Sequence, residues 1–419
     1  MQFSRYRAIS FLSALALCIL PSCSNQVSTP RPAIDYVGNI LADRSGDDYK
    51  IVSSFDSTRV DGPICIVGEP ERCIYLSEAF MTSDSFDNVT GARKSDALPD
   101  FSGERILSLM DKANAPYGGY LNASNTAFLR ELAVRHVVSC LDTVTFVSPF
   151  DKEGMGRKSP AKMIVLASPY MSAYGCFDAD TLFTCLGLPS PVISPLDLMF
   201  GKSLASASQD RGVSVGLIAD SLAIADGVYR MAFTQACRKA ACGKSELVQK
   251  PASGSGNELA AFLESYAAAG GTAPLSALVV DDFTVDISSL EEELAAVRVE
   301  LSDESLRFGK LLADDFRILD PRSTLTAECY GRMRKKNSFT HNIAYPAADA
   351  LVSMPSTELQ ANCYAEDGSL VPEFKYVRQT QSEVPTYYFI QFNYRYLPES
   401  LMELLRDEAI KTYLSYVQK

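Results

Sequence analysis

Between residues 162 and 301 short apolar runs alternate with amphipathic ones, and this alternation constrains the fold more than any other feature of the chain. KMIVLA (162–167), PVISPL (191–196), VSVGLIA (213–219), ELVQK (246–250) and ALVVDD (277–282) read as strands. Helical spacing follows each: a short helix capped by Asp178, one from Asp197 to Ala207, one from Asp226 to Ala241, one from Asn257, and one behind a Ser289/Glu292 capping box. Strand and helix repeating five times with turn-length connections predict a mostly parallel sheet covered by helices on both faces.

The flanks are organised differently. PICIVG (63–68) predicts a strand, Asn125 or Thr126 opens a helix with Leu129, Leu132 and Ala133 inward, and HVVSC or DTVTFV suits strands. After 302, Tyr388, Ile390, Phe392, Tyr394 and Tyr396 alternate with Gln391, Asn393 and Arg395, which predicts a half-buried strand pairing with EFKYVR (373–378). The expected fold class is α/β: a first lobe over 35–160 and a second over 161–301, each with a mostly parallel sheet and helices on both faces, then an α+β C-terminal segment over 302–419.

Composition narrows the functions open to such a fold. At 47% apolar and 21% charged, the 419 residues suit packed domains rather than a disordered chain. A net charge of −12 disfavours nucleic acid as a partner. With only His136 and His341, a three-histidine metal site is excluded by count, and neither His sits in a nucleophile-elbow context. His136 falls near the apolar face of its helix and reads as a buried, hydrogen-bonded imidazole. No Gly-x-Gly-x-x-Gly or Walker pattern occurs, so no cofactor is implied.

Arg5 and Arg7 precede AISFLSALALCIL (8–20), a run of 13 residues that is too short to span a bilayer at about 1.5 Å per residue. It reads as a secretory signal over 1–22. Leu20, Ser22 and Cys23 in the LPSC that follows resemble the lipobox of bacterial lipoproteins. That resemblance implies a lipid-modified Cys23, a tether over 23–34 and an anchor in a bacterial envelope membrane. Setting Cys18 and Cys23 aside leaves cysteines at 65, 73, 140, 176, 185, 237, 242, 329 and 363, an odd number without a Cys-x-x-Cys pair. Most read as small buried apolar residues; Cys65/Cys73 and Cys176/Cys185 are the local disulfide candidates.

Ligands of open parallel sheets bind outside the carboxyl ends of the strands. Those ends carry Ser168 and Tyr170, Ser194 and Asp197, Asp220 and Ser221, and Asp281 and Asp282, with Glu69, Asp142 and Thr143 as counterparts in the first lobe. An acidic, hydroxylated set of this kind suits a small polar solute that donates hydrogen bonds, such as a sugar, nucleoside or amine. Each of these residues could equally serve as a helix cap or turn residue.

VSVGLIADS, the loop into the helix holding Tyr229 and Arg230, ELVQK, the helix from Asn257 and APLSALVVDDF together resemble the second lobe of the type 1 periplasmic-binding fold. The resemblance implies two lobes hinged about a cleft, with Asp220, Arg230 and Asp282 among the cleft residues, and delivery of the solute to a membrane transporter. APYGG (115–119) with VVSCLDT (137–143) slightly resembles the Pro-Tyr-Gly and Cys-Asn-Thr elements of aspartate/glutamate racemases, which implies an enzyme using Cys140 as a proton-transferring thiol. The third alternative is an envelope interaction protein without a small ligand, consistent with the tyrosine-rich C-terminal strand.

Overall fold

In a computed structural model the chain is described over residues 32–148, 150–254, 256–299, 307–382 and 385–417, with 151–154 described by backbone alone. The expected signal peptide, Cys23 and most of the expected tether lie outside these residues. Among the described residues, twelve strands fall in two sheets. The larger has the order β4-β3-β12-β11-β2-β1-β5-β6, formed by β1 (Ile64–Gly68), β2 (Arg105–Met110), β3 (Val144–Ser148), β4 (Asp151–Arg157), β5 (Met163–Leu166), β6 (Val192–Ile193), β11 (Ala347–Pro355) and β12 (Tyr387–Gln391). From β11 to β6 the strands run parallel; β12 and β3 run against them. The smaller sheet, β10-β9-β7-β8, is parallel throughout and contains β7 (Ser214–Ala219), β8 (Glu246–Pro251), β9 (Leu275–Asp281) and β10 (Leu312–Leu319).

Helices flank both sheets: α1 (Asp35–Ala42), α2 (Asp47–Ser53), α3 (Pro70–Thr82), α4 (Gly118–Asn122), α5 (Thr126–Leu141), α6 (Pro169–Tyr174), α7 (Cys176–Cys185) and α8 (Pro195–Ser203) lie along the first part of the chain. Next come α9 (Ser221–Ala225), α10 (Val228–Lys239), α11 (Glu258–Ala268), α12 (Ile287–Val299), α13 (Pro321–Lys336), α14 (Pro372–Lys375), α15 (Glu399–Glu408) and α16 (Ile410–Val417). Two α/β units with mostly parallel sheets are therefore present, as the alternation predicts.

The chain is divided between them differently from the expected boundaries. KMIVLA and the two paired residues of PVISPL belong to the larger sheet, where β5 pairs with β1 and β6 with β5. Only three of the five alternating strands, β7 to β9, build the smaller sheet. The segment after 302 is not a separate α+β appendage: β10 completes the smaller sheet, and β11 then crosses back to lie between β2 and β12 in the larger one.

Local differences have local causes. HVVSC is the last part of α5, whose N-cap Asn125 accepts from Phe128 N and whose Leu129, Leu132 and Ala133 are buried as expected. EFKYVR forms the short α14 and a loop after Pro372, and β12 pairs with β11 instead. Asp286, not Ser289, receives the backbone at the start of α12, and Asp178 lies within α7 holding Arg130 rather than capping. All nine described cysteines are free thiols, so neither local pair is joined. Apolar clusters fill both faces of each sheet, and one of them joins the units by packing Leu129, Met171 and Phe200 against Tyr229 and Phe233.

Candidate functional site

The carboxyl ends of β1 and β5 in the larger sheet face those of β7 and β9 in the smaller one. Glu69 directly follows β1, and Pro70 at the first position of α3 turns the chain into a helix that carries Arg72 and Cys73. The Arg72 side chain reaches across the junction. Its Nε donates to Ala167 O at 2.7 Å, and its guanidinium meets Asp281 Oδ1 at the end of β9 at 2.5 Å. The other Asp281 oxygen accepts from Tyr229 OH at 2.8 Å. Burial alone would lower the Arg72 pKa, but Asp281, Tyr229 and Glu69 together outweigh it and hold the guanidinium charged. A second bridge runs from Tyr170 OH, after β5, to Asp226 Oδ2 at 2.8 Å. Phe283 stacks on Tyr75 with ring centroids 5.0 Å apart, while Arg72 lies over its ring at 4.8 Å.

Glu69 sits in the middle of this junction. Its Oε1 accepts from Ser168 Oγ at 3.0 Å, whereas Oε2 is shut off from solvent and has no hydrogen-bond partner. Burial dominates its titration; Arg72 opposes it only in part, and the carboxyl is pushed up to about 7. Beneath Glu69, Cys73 is fully buried with Sγ directed at the carbonyl oxygens of Ile66, Gly68 and Leu109, and burial raises its thiol far above the usual range.

Next to this site Asp111, fully buried after β2, organises a network. It accepts from Asn114 Nδ2 at 2.7 Å, Tyr117 OH at 2.9 Å and Ser353 Oγ at 2.7 Å. His136 Nε2 approaches it to 3.1 Å, off the line of a good hydrogen bond. Burial would raise the Asp111 pKa, yet His136 and the donors outweigh it and hold the carboxyl below its ordinary value. His136 is buried, as its place on the helix predicts, with Nδ1 3.5 Å from Met171 Sδ. Asn114 in turn accepts from Arg378, which also reaches Tyr120 OH and Thr386, so the C-terminal segment closes over this network.

Of the residues named from the sequence, Glu69, Ser168, Tyr170, Asp220, Asp281 and Asp282 are brought to the junction. Asp281 is taken up by Arg72 and Tyr229. Asp220 caps α9 through Ala223 N and acts electrostatically on the Tyr170 and Tyr229 phenols, raising both behind the larger effect of their burial. Asp282 turns back onto Thr284, and Ser221 is exposed at the start of α9.

The other named residues are elsewhere. Asp142 and Thr143 follow a helix instead of a parallel strand; Asp142 Oδ1 accepts from Val144 N. Asp197 lies in the first turn of α8, whose cap is Ser194, and pairs with Lys239 at 2.8 Å. Arg230 points outward from α10 into a groove with Arg130 and Arg238. Cys140 is buried in the core beside Cys65, away from the junction, and burial raises its thiol well above the usual range.

Arg72 and Asp111 had not been singled out. The sequence signal for Arg72 is a cation four residues after the end of a buried strand, and for Asp111 an acid directly after the run RILSLM. Among the described residues no group of His, Cys, Asp or Glu is placed to hold a metal ion, and no helix is long and apolar enough to cross a membrane.

No family model matches the chain, and no curated protein matches it significantly. Solved structures to which the chain is distantly similar include a glutamate racemase isoform from Bacillus anthracis, at 13% identity and a TM-score of 0.38, covering 70% of this chain and 89% of that one. A glutamate racemase from Francisella tularensis in complex with D-glutamate shows 17% identity and a TM-score of 0.38, covering 77% of this chain and 96% of that one. At such identities and TM-scores the likeness assigns no activity here.

Proposed function

We propose that this chain is an exported, lipid-anchored protein that holds a small polar solute at the junction of its two α/β units and passes it to a membrane transporter. The observation that carries the binding reading is the orphaned Oε2 of Glu69. A buried carboxylate oxygen without a partner costs about 1–3 kcal/mol, a cost a ligand hydroxyl or ammonium would remove. Ser168, Tyr170 and Asp220 supply the hydrogen-bonding surround, which fits a sugar, nucleoside or amine. The contacts of Arg72 with Asp281 and of Tyr170 with Asp226 hold the two units together around it.

A thermal-shift screen against sugars, nucleosides, amino acids and polyamines tests the reading. A true ligand at a hundred times its Kd adds about 2.7 kcal/mol of stability, and Glu69→Gln should remove most of that gain. A flat screen would favour an envelope interaction protein. Mass spectrometry of the mature N-terminus tests the anchor: a start other than a lipid-modified Cys23 removes that part.

One observation favours a second reading. A carboxyl near pH 7 at the junction of the units is poised to give or take a proton, so acid–base turnover of the bound solute at Glu69 is the alternative. Solvent-deuterium exchange into a ligand found by the screen separates the two, since a binding protein leaves the ligand's carbon-bound hydrogens unexchanged.

A further inference from the structure

A cavity of about 630 Å³ lies against the amino-terminal ends of β1, β2 and β11, away from the junction. Its chemistry is opposite to that of the chain as a whole. Among the described residues, Arg105, Arg157 and Lys158 line it against one carboxylate, Asp349, in a protein of net charge −12. Arg105 meets Asp349 at 2.7 Å. Lys158 Nζ donates to the carbonyl oxygens of Cys140 and Asp142, which fix its ammonium in the wall, and it meets no carboxylate among the described residues. The Arg157 guanidinium has no hydrogen bond or ion pair among the described residues. The Ser159 hydroxyl and the Gln391 amide add further donors without described partners, and Ile106, Leu351 and Phe392 form apolar wall. Gly156, on the β4 side, helps keep this arrangement: a Cβ there would come within 2.9 Å of Gln391 Nε2 and 3.0 Å of Thr145 Cγ2.

We propose that this cavity is an anion site for a phosphate group, free or as the ester of a small molecule, with Arg157 and Lys158 supplying the charge and Ser159 and Gln391 the neutral donors. A guanidinium fork and a fixed ammonium match the oxygens of a tetrahedral anion. The volume exceeds what phosphate alone needs and lies in the range of small-molecule pockets; the apolar wall would contact the body of an ester. The site is independent of the ligand proposed for the junction.

The test is equilibrium dialysis of the whole chain with radiolabelled inorganic phosphate and with glycerol 3-phosphate, ionic strength matched by sodium chloride. Saturable binding of one equivalent is expected, weakened about tenfold or more in Arg157→Glu through loss of a charge-assisted contact. Tighter binding of glycerol 3-phosphate identifies an ester as the ligand, equal binding the free anion. Arg211→Glu makes the same charge change at an exposed site on the other unit and should leave binding unaltered, as should Glu69→Gln at the junction. Absence of binding to either probe, or equal weakening by Arg211→Glu, overturns the proposal.

Discussion

Glu69 stores a pH dependence whose sign follows from its burial. With the folded carboxyl near 7 against an ordinary value of 4.5, the folded state binds more protons than the unfolded one between those limits. Its contribution is fully present below about 4.5 and lost as pH rises through 7, a swing of about 3 kcal/mol at 1.36 kcal/mol per unit. Glu69→Gln should flatten the stability curve across this window in denaturant titrations at several pH values. Asp111 has the opposite role: Asp111→Ala strands Asn114, Tyr117 and Ser353 and should cost about 3 kcal/mol, read from the shift of the urea midpoint. At this scale the sequence showed residues that end parallel strands, hence Glu69, Ser168 and Asp281. It did not show partners such as Arg72 and Asp281, 209 residues apart, because a pairing across units leaves no local pattern.

At the scale of elements, period and capping chemistry were readable where helices are amphipathic and strands are bounded by turns. Asn125 illustrates a cap that does more than cap: its carbonyl accepts from Phe128 N while Nδ2 donates to Tyr376 O and Arg378 O. Asn125→Ala should therefore cost more than the ~1 kcal/mol of an ordinary cap, about 2 kcal/mol in thermal unfolding. Asn125→Asp keeps the cap but loses the two donated bonds, so an intermediate loss is expected. HVVSC was ambiguous because a short apolar run fits a buried helix as well as a strand. RILSLM went unread for the related reason that a strand buried over most of its length lacks alternation.

For the whole molecule, the two α/β units were legible and the path of the chain between them was not. Periodicity identifies β5 and β9 equally well as parallel strands, but sheet membership depends on long-range pairing. The return of β11 places residues 347–355 inside the larger sheet, between β2 and β12. Truncation after residue 336 should consequently abolish cooperative unfolding of that sheet, leaving a chain that binds a hydrophobic dye. The junction depends on Arg72 and Asp281 in the same way: Asp281→Ala leaves a largely buried guanidinium unpaired, with a loss of about 3–5 kcal/mol and a larger radius of gyration in small-angle scattering if the units part.

The central claim is that Glu69 awaits a donor from a bound solute. Isothermal titration of the first solute found by the thermal-shift screen, into the wild-type chain and Glu69→Gln, tests it most directly. The account predicts stoichiometric binding to the wild type, proton exchange with buffer near pH 7, and at least about tenfold weaker binding without that exchange in the variant. Equal affinity and equal proton exchange in the two proteins would contradict it.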